Sequence, residues 1–287
     1  MNGCCTIVIP EYLSMKNVDK LYCAVLPSQE ICCVIFDFSR INFVTPHSLI
    51  LIVTASRFYK DRFNRVVEWK NIKPAVLGYL DRMNIRELDF IRIERPSIFR
   101  RRNYQESDAR VDLSIIENAD QLGSAILQTK KVLDHWFPEN QECKRHLLTL
   151  IKETVENSIE HSSVESSKGF CYYVLQKYAY NDGSTEVQIA VGDVGVGMLV
   201  SQRRVHPLTK NDAQALVQAV MRGRSGRKSG GGMGYINVRE SLAPLHGEIY
   251  IRSGRAHIEY AVGMSGERIY RYPYSCPGTQ IVFKCRA

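Results

Sequence analysis

Twice in its second half the chain passes from an ordinary stretch into a cluster of glycines, and the residues set among those glycines constrain the fold more than any other feature. The first cluster is Val191-Gly192-Asp193-Val194-Gly195-Val196-Gly197-Met198, directly after the strand-like run Glu186 to Val191. Its Asp-x-Gly-x-Gly order puts one carboxylate just before residues free to take positive φ. An aspartate at a strand end can accept a hydrogen bond from an exocyclic amine, which would read adenine. The second cluster, Ser229-Gly230-Gly231-Gly232-Met233-Gly234, precedes Tyr235-Ile236-Asn237-Val238, an apolar run that suits a helix start. Backbone without side chains at a helix N-terminus offers N–H groups and a positive dipole end to an anion, so a phosphate site is expected there.

Upstream, the stretch from Lys152 to His161 has helical spacing. Glu153, Asn157 and His161 recur at i, i+4 and i+8 on one face, while Leu150, Ile151, Val155 and Ile159 supply the apolar side. Alone, such a polar stripe also reads as a solvated helix face. Glu156 is a second carboxylate in this helix, one residue from Asn157, and is expected to point elsewhere.

At 287 residues and 45% hydrophobic, the chain is long and apolar enough for about two domains of ~100–200 residues each, which excludes global disorder and a disulfide-stapled miniprotein. Residues 1–95 alternate strands and helices: a strand at Thr6 to Ile9, a helix at Asn17 to Leu26, and a strand at Ile31 to Phe38 buried on both faces. A helix from Ser48 to about Asn64, a strand at Val66 to Trp69 and a helix from Pro74 through Leu80 complete it. Residues 96–109, rich in arginine and polar side chains, read as a basic linker. Residues 110–287 open with two long helices, Asn118 to Phe137 and Glu139 to Glu160. Strands follow at Gly169 to Tyr178, Glu186 to Val191, Glu248 to Arg252, His257 to Val262 and Thr279 to Lys284. The class is α/β (α+β), the second domain being a sandwich with helices on one face of a mixed sheet.

The two glycine clusters, the Glu/Asn helix and the terminal Gly278-Thr279 stand in an order that resembles the GHKL ATPase superfamily of histidine kinases, gyrases and anti-sigma-factor serine kinases. The Glu-x-x-x-Asn-x-x-x-His spacing is closest to the last group. The resemblance implies a Bergerat-type fold that binds ATP with Mg²⁺. Position by position, it implies Glu153 as the general base and Asn157 as the Mg²⁺ ligand through its side-chain oxygen. Asp193 would read adenine, Gly195 and Gly197 would form the loop around the base, and Thr279 would place a hydroxyl beside it. Gly230, Gly231, Gly232, Met233 and Gly234 would form the phosphate loop. Leu199 to Lys228, with Arg203, Arg204, Lys210, Arg222, Arg224, Arg227 and Lys228, would be a flexible basic lid. Lys228-Ser229 matches the end of a P-loop motif, but Arg227 stands where that motif needs glycine.

Val34 to Leu49 resembles the central strand, loop and helix start of a STAS domain, the anti-sigma-factor-antagonist fold, over residues 1–95. That family carries a phosphorylatable serine at the helix N-terminus; a gapless alignment puts His47 there, with Ser48 one residue beyond and Thr45 two before. Ser48 or Thr45 also reads simply as a helix cap.

No apolar run approaches the ~18–20 residues of a membrane span, and the N-terminus lacks the pattern of a secretory signal, so a cytoplasmic setting is expected. Nine cysteines without a CxxC fit neither a zinc ribbon nor a disulfide framework and are expected as buried reduced thiols. A net charge of +8 is modest, and nucleic acid is a minor reading. The leading expectation is an ATPase or serine/threonine-kinase-like regulator whose nucleotide state controls contacts with a protein partner or a second copy. The alternatives are a non-catalytic ATP-binding scaffold and, behind it, a nucleic-acid-associated ATPase.

Overall fold

The computed structural model describes residues 3–22, 31–94, 110–162, 169–224, 226 and 233–286. The chain divides into two compact units, Met1–Asp108 and Ala109–Ala287, and the linker expected at 96–109 lies outside the described residues. Both units mix helix and strand, and each has its own sheet.

In the first unit, β1 (Gly3–Val8), β2 (Ile31–Asp37), β3 (Val67–Lys70) and β4 (Ile91–Ile93) form a parallel sheet in that order. Parallel neighbours need crossovers; α1 (Pro46–Phe63) and α2 (Pro74–Arg82) supply two of them. In place of the helix expected over 17–26 there is one 3₁₀ turn, Val18–Leu21, and residues 23–30 lie outside the described residues. Val34, Phe36, Val67 and Trp69 are fully buried, whereas the alternating Cys33, Ile35, Glu68 and Lys70 are half-buried. The expectation that β2 is buried on both faces is therefore corrected: the period of two separates a packed face from one where Glu68 pairs with Lys70 at 3.0 Å and Arg92 at 3.4 Å.

The cysteine expectation also needs correction. Cys4 and Cys33 are register partners across β1 and β2, with Cα atoms 4.7 Å apart, and are disulfide-bonded. Parallel pairing brings residues distant in sequence to disulfide range, which no spacing rule along the chain detects. Cys143, Cys171, Cys276 and Cys285 are buried thiols outside any disulfide.

Helix α1 starts with a capping box. Thr45 Oγ1 accepts from the Ser48 N–H at 3.1 Å, and Ser48 Oγ accepts from the Thr45 N–H at 2.9 Å. Its run Leu49 to Val53 is fully buried, and Trp69 of β3 donates its indole N–H to Ser56 Oγ at 3.1 Å. Both candidate hydroxyls at the helix start are thus engaged in capping, and Ser48 is buried. Replacing Thr45 by Ala should destabilise this unit by about 1 kcal/mol. Urea unfolding followed by Trp69 fluorescence, with Trp136 replaced by Phe, measures it.

The second unit pairs five strands in the order β5-β6-β7-β9-β8, namely β5 (Arg110–Ile116), β6 (Cys171–Ala179), β7 (Thr185–Gly192), β8 (Glu248–Ala261) and β9 (Arg268–Arg286). All its ladders are antiparallel, which corrects the expected mixed sheet. The helices between β5 and β6, α3 (Ala119–Trp136) and α4 (Gln141–Ser162), come as a pair. One helix returns the chain for a parallel strand; two in succession deliver an antiparallel one. Strand β5 itself was not expected. Leu147, Leu150, Ile151 and Val155 of α4 share one core cluster with Ile189, Val191, Ile249, Ile251 and Phe283 of the sheet.

Part of the segment expected to be a flexible lid, within 213–220, packs into this core. The segment contains α5 (Gly197–Arg203), α6 (Asp212–Leu216) and a π-helical turn, Val217–Met221. Ala213, Leu216, Ala219 and Val220 are buried in the same cluster, and Arg203 donates to the Thr209 and Lys210 carbonyls at 2.9 and 3.0 Å. Apolar side chains between its basic residues anchor that part of it. Residues 225 and 227–228 of the segment lie outside the described residues. Helix α7 (Met233–Leu242) follows.

Candidate functional site

A cleft of about 230 Å³ opens in the second unit between α4, α5, α7, the end of β7 and the middle of β9. Glu153, Asn157, Asp193, Met233, Gly234 and Thr279, all expected site residues, line it. Gly195 and Gly197 shape the turn beside it. Gly230, Gly231 and Gly232, and the side chain of His161, lie outside what the structure describes.

Asp193 forms the floor. It directly follows β7, and its N–H donates to the Thr279 carbonyl at 3.0 Å. Its Oδ1 accepts from the Gly195 N–H at 2.8 Å and the Thr279 N–H at 3.2 Å, and Gln280 Nε2 donates to its carbonyl oxygen at 3.0 Å. Among the described residues, Oδ2 receives no hydrogen bond. The carboxyl is 3% exposed; burial pushes its pKa up to about 7, against the opposing pull of the two backbone amides.

Close approach explains the glycines around this aspartate. Gly278 has φ +67°, and a Cβ there would overlap the Asp193 carbonyl oxygen. A Cβ on Gly195 would overlap the backbone of Ser162 at the end of α4. Gly197, at φ +75°, turns the chain into α5, where the Met198 N–H donates to Ser253 Oγ at 2.9 Å. Ser253 Oγ in turn donates to the Gly278 carbonyl at 3.0 Å and lies 3.2 Å from Thr279 Oγ1.

The wall is α4 facing α7. Asn237 Nδ2 donates to Glu153 Oε1 at 2.8 Å. A Cβ on Gly234 would stand 3.0 Å from both Glu153 Oε2 and Asn157 Nδ2, so glycine lets the two helices meet at these side chains. The Asn157 amide makes no side-chain hydrogen bond to the described residues, and its carbonyl is a hard oxygen donor of the kind Mg²⁺ takes in ones and twos beside phosphate oxygens. Glu156 also lines the cleft, 4.0 Å from Lys152 at its outer side. The expectation that it points away is corrected, because i+3 and i+4 from Glu153 flank the same stripe.

Sequence reasoning did not single out Asn237, Gln202 or Ser201 for this cleft, and named Arg224 only as part of a lid. Gln202 Nε2 donates to the Arg224 carbonyl at 2.8 Å and Arg224 is exposed at the rim. Only the i, i+3 relation of Gly234 and Asn237 on a helix start hinted at a shared face. No protein-family model matches the chain, and no curated protein matches its sequence.

Replacing Gly278 by Ala should destabilise the second unit by on the order of 2–4 kcal/mol, combining αL strain with the overlap on Asp193; chemical denaturation measures it. A second outcome concerns pH. The unfolded chain releases the Asp193 proton near 3.8 and the folded chain near 7, so the native state holds more protons in between and stability falls as pH rises through that window. Asp193→Asn lacks this titration. Its melting temperature relative to the parent should therefore climb from pH 5 to pH 8, as differential scanning calorimetry would show.

Proposed function

We propose that the second unit is a GHKL-type ATP-binding domain acting with Mg²⁺, and that its nucleotide state governs protein contacts through a STAS-like first unit. The observation that carries this reading is convergence: an acid and an amide from α4, a buried aspartate from the end of β7, the start of α7 and Thr279 of β9 border one cleft. The chemistry of the lining fits the ligand. Asp193 Oδ2, which receives no hydrogen bond among the described residues, offers an acceptor at the buried end for an exocyclic amine. Asn157 and the two carboxylates of α4 offer oxygen donors toward the other, and Arg224 offers a cation at the rim.

Bound Mg²⁺, with Asn157 as its protein ligand, would neutralise phosphate charge. Glu153 would act as general base. The oxygen of a water molecule, or of a protein hydroxyl, forms the bond to the terminal phosphorus, its proton passes to Glu153, and the bond to the bridging oxygen breaks with its electron pair leaving on ADP. The capping roles of Thr45 and Ser48 favour an acceptor other than these two hydroxyls. Similarity of the first unit to STAS rests on β2, the loop after it and the capped start of α1.

Incubation with γ-labelled ATP and Mg²⁺ tests the reading by following label to free phosphate, to protein or nowhere. Glu153→Gln should keep ATP affinity within about threefold and lower turnover by about 10²-fold or more. Undiminished turnover in that variant would remove Glu153 from its role, and absence of ATP binding by the parent would remove the proposal.

A further inference from the structure

The Glu153 carboxylate is held from one side by the first turns of α7. A carboxylate only accepts hydrogen bonds, so the Asn237 group facing Glu153 Oε1 at 2.8 Å is its NH₂. Gly234 sits three residues earlier on the same helix face, leaving open the space beside Glu153 Oε2 that a Cβ would crowd at 3.0 Å. Among the described residues, one oxygen is therefore tied and the other accepts no hydrogen bond. Helix α7 begins at Met233, so Gly234 and Asn237 both stand in its first turns.

We infer that Asn237 is a positioning residue: its amide fixes Glu153 Oε1 and leaves Oε2 as the oxygen that takes the proton. This rests on the reading of Glu153 as general base. A glutamate carboxylate without a partner rotates about three side-chain bonds, and a hydrogen bond to an ionised acceptor is about twice as strong as a neutral one. Restricting that rotation preserves near-attack geometry without adding affinity for the nucleotide. The effect therefore falls on kcat.

The test uses the full chain with Asn237→Ser, Asn237→Leu and Asn237→Asp beside Glu153→Gln, measuring ATP Kd and kcat separately. Asn237→Leu should lower kcat by about tenfold with Kd changed less than about threefold. Asn237→Ser keeps a donor and should recover part of the loss. Asn237→Asp is nearly the same size but has no donor at neutral pH and adds a like charge, so it should fall below Asn237→Leu. A packing role orders the variants by size instead, leaving Asn237→Asp close to the parent; that order, or a parent-like kcat in Asn237→Leu, overturns the inference. Full turnover in Glu153→Gln overturns the base assignment instead. A parent that binds but does not turn over ATP is decided by infrared spectroscopy: the Glu153 carboxylate band, isolated as the difference between parent and Glu153→Gln, shifts in Asn237→Leu if Asn237 holds it and stays in place if the inference is wrong.

Discussion

The second unit depends on one buried carboxyl. Asp193 stands where β7 ends, and its Oδ1 collects the N–H of Gly195 from the following turn and the N–H of Thr279 from the neighbouring strand. Two pieces of backbone thereby converge on one side chain. The glycines at 195 and 278 exist because backbone must approach this point more closely than a Cβ permits. Burial pushes the pKa of this carboxyl up to about 7, so the cleft floor is held by hydrogen bonds against a desolvation cost.

Against that floor, α4 carries chemistry on one stripe and packing on another. Leu147, Leu150, Ile151 and Val155 lie in the core, and the stripe at 153, 156 and 157 meets α7 across the cleft. Antiparallel order in the sheet matters here. It brings the end of β7 and residue 279 of β9 side by side, although 86 residues separate Asp193 from Thr279. Buried alanines of α6 and the π-helical turn anchor part of the segment between them, and Arg203 is tied to the backbone of Thr209 and Lys210.

Local pattern made several parts of this legible. Periodicity in 150–161 separated the core stripe from the polar one, the capping residues at 45 and 48 announced the start of α1, and Asp-x-Gly-x-Gly after an apolar run announced a turn at a strand end. Other parts had no local signal. Strand β5 is short and precedes a helix, β8 joins two runs that read as separate strands, β9 starts well before the run Thr279 to Lys284 that read as a strand, and Cys4 meets Cys33 only because two strands are in register. Asn237 resembles any polar residue on an amphipathic helix until its partner is known.

What the amino-acid sequence determined alone was the inventory: which faces are apolar, where the backbone can bend, and which acid, amide and glycine residues are present for a cleft to use. Tertiary structure decided which of them meet. Strand direction, helix pairing and the disulfide follow from contacts between residues far apart in the chain, whose energies depend on close packing and register and leave no periodic trace in the sequence.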